Sequence, residues 1–157
     1  MTSQIDEQEI VPLGKDERLG REERSKTSAK RSFRRLKAEG KAQVHASKFE
    51  PPRNTNEISV NRLDLASEAT LAELGAQNAS MSGKEFWGWY TILASDVEEV
   101  GCRTIPTPLD GNPYHADIVV PVTLDAEDRR DTIREYAIDL AYRATFVPWG
   151  EWTSEIV

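Results

Sequence analysis

Ile118-Val119-Val120 restricts the fold of this chain more than any other stretch. Three consecutive β-branched residues crowd an α-helix and pack well on a pleated strand. They lie within Ala116-Asp117-Ile118-Val119-Val120-Pro121-Val122, just after the turn-forming residues Leu109-Asp110-Gly111-Asn112-Pro113. A run that is apolar on both faces predicts a central strand with both sides covered. The same stretch places His115, one of two histidines, at the mouth of that strand.

Around this strand the rest of the body follows from periodicity. Residues 57–63 alternate, with Ile58 and Val60 on one face, which predicts a half-buried strand. Ser67 is placed to cap a helix carrying Leu71 and Leu74. Ser82 with Glu85 fits a capping box, and Phe86, Tyr90, Leu93, Val97 and Val100 recur at helical spacing up to Gly101. That pattern predicts a second helix. Pro106 and Pro108 confine residues 102–108 to a sheet edge. Asp125 opens a last helix with Ile133, Leu140, Ala141 and Ala144 on its apolar stripe, and the aromatic tail from Phe146 to Trp152 folds back. The expected class is α+β: a small two-layer sheet of about three strands with about three helices on one face. Its crossover would set the first strand parallel to one of the later two.

The segment before the body reads differently. Residues 21–48 carry ten basic side chains against three acidic ones, a net +7, while residues 1–20 carry −3 and residues 49–157 carry −11. Apolar anchors are few there, so residues 1–48 are expected to form a charged arm, largely disordered or partly helical. Helix formers over residues 28–42, with Phe33 and Leu36 on one face and Gly40 to end it, mark the helical part. Phe49-Glu50-Pro51-Pro52 then starts the body, residues 49–157. No apolar run approaches the roughly 20 residues of a spanning helix, and the acidic start lacks the regions of a signal peptide. The lone Cys102 excludes an internal disulfide and fits a reducing, cytoplasmic setting.

Three groups of residues could carry function. His115 and Asp117 are two apart on a strand and share a face, so they could act as an acid/base pair, with Asp110 or Asn112 reaching the same edge. Against this, a histidine can simply bond the turn backbone, and one imidazole with one carboxylate falls short of a metal site. Trp87, Trp89, Trp149 and Trp152 exceed what one core stripe needs, and an exposed subset would form a partner-binding patch; core packing is the plainer use. Arg31, Arg34, Arg35 and Lys37 could contact phosphates or an acidic partner, or remain a solvated face. Cys102 follows a helix end, where the dipole disfavours a thiolate, and reads as structural.

The pattern Phe49-x-Pro51, Ile58-Ser59-Val60-x-Arg62 and His115-Ala116-Asp117-Ile118 resembles a group of small uncharacterised bacterial proteins. The resemblance spans residues 49–121 and implies a bacterial or phage origin without an activity. The function expected from the chain is therefore that of a non-enzymatic interaction or accessory protein. Its body would bind a protein partner, its basic segment would touch that partner or nucleic acid, and no cofactor or membrane is involved. A small hydrolase or nuclease-like enzyme centred on His115 and Asp117, and a nucleic-acid binder using residues 21–48, are the alternatives.

Overall fold

The Ile118 strand is interior, and its neighbours explain why. A computed structural model describes residues 10–41 and 43–149 of the protein. Along the chain lie β1 (Arg18–Glu23), α1 (Lys26–Glu39), a 3-10 turn (Ala46–Phe49), β2 (Glu57–Arg62), α2 (Glu68–Met81), β3 (Gly88–Leu93), α3 (Ala94–Val100), β4 (Arg103–Pro106), β5 (His115–Val119), α4 (Arg129–Arg143) and β6 (Thr145–Pro148). One sheet runs in the order β4-β5-β2-β1-β3-β6, with every pairing antiparallel. Ile118 faces Ile58 on one neighbour and Thr104 on the other, and Ala116 and Ile118 are fully buried. The proline-bearing β4 takes the edge, where a missing backbone donor costs no ladder bond.

This corrects the expected sheet of about three strands and three helices: the described residues form six strands and four helices. The expected parallel pairing is also absent, because β3 and β6 lie beyond β1 and the chain returns to place β5 antiparallel to β2. Nor do the helices share one face. Tyr90 and Ile92 of β3 join the larger core with residues of α1, α3 and α4, whereas Trp89 faces Leu71 of α2 in a smaller core. The sheet is thus sandwiched.

The arm is the largest correction. Its residues 18–23 form β1, an interior strand flanked by β2 and β3, so the sheet runs across the expected boundary at residue 48. β1 has one buried aliphatic side chain, Leu19, and no alternation of apolar residues. Polar contacts hold it instead. Arg62, with a side chain 3% exposed, pairs with Glu17 at 2.6 Å and donates to the Val11 and Pro12 carbonyls, tying the entry to β1 against β2. α1 follows with ordinary start and stop chemistry. Ser25 accepts from the Ser28 amide, and Gly40 closes the helix at φ 74°.

The expected helix over residues 82–101 is instead a loop, strand β3 and the short helix α3. Ser82 caps the end of α2 rather than starting a helix. Phe86 belongs to the smaller core and Tyr90 to the larger, on opposite faces of the sheet, so their four-residue spacing reflects two cores and not one helix face. Gly88 sits at φ 139°, and a Cβ there would collide with the Val147 carbonyl of β6. Only glycine fits that approach. α4 starts at Arg129 rather than Asp125, after two turns in which Ala126 bonds Thr123 and Arg129 bonds Ala126. No helix among the described residues is long and apolar enough to cross a membrane.

Candidate functional site

β1 and β2 are each six residues long, yet they pair only at Leu19 with Arg62 and at Gly20 with Asn61. Beyond those positions the strands diverge. The Arg21 guanidinium bridges the opening, with Nη1 donating to the Ser59 carbonyl and Nε to the Lys48 carbonyl, both at 2.9 Å. Burial lowers the pKa of Arg21 from its ordinary value, with Glu22 acting against that. Gly20 permits close packing at the apex, since a Cβ there would meet Leu63 and Trp89 at 2.9 Å. The opening is a cleft of about 810 Å3, walled by α2 on one side and by the turn 109–112 with His115 on the other.

Two carboxylates anchor the cleft. Glu22 Oε1 accepts from Arg24 at 3.0 Å, and Oε2 accepts from Asn78 at 3.1 Å and Asn61 at 3.4 Å. Glu23, 2% exposed, accepts from the Tyr90 hydroxyl, the Ser25 amide and the Lys48 ammonium. Burial and then the Glu23 contact raise the Tyr90 pKa, so the phenol stays a donor throughout the neutral range. Asn112 donates to Asn61 Oδ1 at 2.8 Å and accepts from the Tyr114 amide. It is buried and ties the turn to β2, a bracing use. Sequence reasoning passed over Glu22, Glu23, Asn61 and Asn78. The available signal was the packed charge of Arg21-Glu22-Glu23-Arg24, which suits a strand only if its charges pair.

His115 and Asp117 share a face of β5, as two-residue spacing requires. The imidazole is committed elsewhere. Its Nδ1 lies 3.0 Å from the Thr107 carbonyl and 2.8 Å from the Thr107 hydroxyl. A carbonyl only accepts, so the proton belongs on Nδ1 and Nε2 is left as an acceptor on the cleft wall. Asp117 is buried opposite Ser59 and Ile105. Among the described residues, no group of three or more His, Cys, Asp or Glu side chains is placed to hold a metal ion.

A second depression, about 690 Å3, lies between α1 and α4. Arg31, Arg35 and Lys41 line it with one carboxylate, Glu39, and with Val44, Ile138 and Tyr142. Arg31, Arg34, Arg35 and Lys37 are all exposed on α1. Arg35 donates to Gln43, Lys37 stands 5.6 Å from the Phe33 ring, and Lys41 stands 4.9 Å from the Tyr142 ring. Tyr142 is 76% exposed and Ile138 51%, a pairing of bare apolar and cationic surface that a solvated helix face does not need.

The described tryptophans do not form one exposed patch. Trp89 is buried against the edge of the Phe86 ring at 4.8 Å, while Trp87 packs on the larger core with Lys26 above it. Trp149 is exposed and lines a small pocket that also touches Trp89; Trp152 lies outside the described residues. Cys102 is buried and unpaired, with its pKa pushed up to about 11 by burial and then by Asp139. Comparison of the chain with protein-family models, curated proteins and solved structures finds no match.

Proposed function

We propose that the protein is a non-enzymatic interaction module that docks an acidic, amphipathic segment of a protein partner between α1 and α4. The observation that carries this reading is the make-up of the groove. Three cations, Arg31, Arg35 and Lys41, against the single carboxylate Glu39 stand beside buried Val44 and exposed Ile138 and Tyr142. A helix or turn with acidic and aliphatic side chains satisfies both halves at once, a helix-in-groove mode of recognition. The rest of the body is strongly acidic, so the basic groove orients such a partner and the remaining surface repels it elsewhere. A nucleic acid is the poorer fit, because its bases want a series of stacking rings and the groove offers Tyr142 with aliphatic neighbours. The tethered His115 ring supports a non-enzymatic role, and the buried free thiol suits a reducing cytoplasm.

Fluorescence anisotropy tests the reading with a labelled acidic amphipathic peptide and a labelled single-stranded oligonucleotide. The peptide is expected to bind, and Arg31→Glu with Arg35→Glu, or Ile138→Asp alone, should weaken it about tenfold or more. Tighter, steeply salt-dependent binding of the oligonucleotide would transfer the groove to nucleic acid.

A further inference from the structure

We propose that the cleft between β1 and β2 is a separate binding site for a neutral polyhydroxyl ligand, a carbohydrate. Its volume of about 810 Å3 falls in the usual range of small-molecule sites, roughly 300–1,000 Å3. The argument is one of charge. Arg24 is used by Glu22, Lys48 by Glu23, and Arg21 by two backbone carbonyls. Two of these cations are cancelled by paired carboxylates and the third has its Nε and Nη1 donors taken by carbonyls, so a charged ligand would have to compete with internal partners for a counter-ion. Lys84 and Asp110, of opposite charge, also line the cleft, and both are exposed to solvent.

What the walls still offer is neutral. The Gln77 amide, Asn78 Oδ1 and His115 Nε2 have no hydrogen bond within the protein among the described residues, although all three side chains line the cleft. Each sugar hydroxyl donates once and accepts twice, which suits this mixture of amide and imidazole groups. Leu74 on α2 and Leu109 on the opposite turn add apolar surface for the C–H faces of a sugar ring. The Glu22 hub holds α2 and β2 at a fixed separation through Asn78 and Asn61, so the site is organised before a ligand arrives.

Titration of the full-length protein, followed by calorimetry and by the His115 ring resonances, tests this with N-acetylglucosamine and maltose against glucuronate, glutamate and inorganic phosphate. The neutral sugars should saturate and shift the His115 signals, and the charged compounds should not. Gln77→Trp, at an exposed helix position that tolerates the ring, should weaken sugar binding at least tenfold with unchanged circular dichroism. Asn78→Ala should weaken it too, and Arg31→Glu, in the other groove, should leave it intact. Preference for glucuronate or phosphate, failure of both neutral sugars to saturate, or indifference of sugar binding to Gln77→Trp would each overturn the proposal.

Discussion

The two depressions draw on the same basic segment and use it in opposite ways. Arg21, Arg24 and Lys48 turn into the β1–β2 cleft, where carboxylates and carbonyls consume them. Arg31 and Arg35, a few residues on, stay exposed on α1 beside bare Ile138 and Tyr142. A charge count cannot separate these cases. What separates them is that β1 is an interior strand and must neutralise its polar side chains, while α1 covers the sheet with one face and leaves the other in solvent.

Substitutions can break or sharpen that contrast. The largest effect is expected from Glu23→Ala, which strips the acceptor from Tyr90, Lys48 and the Ser25 amide at a site 2% exposed. A loss of about 3–5 kcal/mol in denaturant unfolding is the expected result; a loss under about 1 kcal/mol would mean the network does not hold β1 in place. Cys102, in neither cleft, supplies an independent check by pH. Burial and Asp139 raise its pKa from 9.0 to about 11, so the folded state holds the thiol proton more tightly than the unfolded chain. Its contribution is fully present below pH 9 and is lost as pH rises through about 11, on the order of 2–3 kcal/mol. The difference between wild type and Cys102→Ala should shrink over that window, and a flat difference would contradict the burial.

Glu22→Ala comes next. It releases Arg24, Asn61 and Asn78 at a less deeply buried carboxylate, with an expected cost of about 1–3 kcal/mol and a loosened α2 that hydrogen exchange would detect. Smallest is Arg31→Glu with Arg35→Glu, expected to move stability by no more than about 0.5 kcal/mol per site while weakening peptide docking about tenfold or more. A large stability loss there would show that α1 uses those arginines internally, and the contrast between the clefts would fail.

Some of this was legible beforehand. The Ser67 cap, the alternation of Ile58 and Val60, the proline-bearing edge strand and Gly40 after α1 all act locally, and the structure has each element there. β1 was not legible, because Arg-Leu-Gly-Arg-Glu-Glu offers one aliphatic residue where a strand pattern needs several. The helical spacing from Phe86 to Val100 misled for a different reason: Phe86 and Tyr90 serve opposite faces of the sheet. Of the site residues, His115 and Asn112 were singled out from the turn and strand that hold them, but Glu22 and Glu23 take their meaning from partners far along the chain.

The sequence by itself determined the elements whose signals span only a few residues: caps, turns, β-branched runs and edge prolines. Only the tertiary structure decided which charges would be buried and which exposed. Tyr90 meets Glu23 across 67 positions, and Arg62 meets Glu17 across 45. A charged side chain is tolerable inside a sheet only when such a partner arrives, and no local pattern reports whether it will.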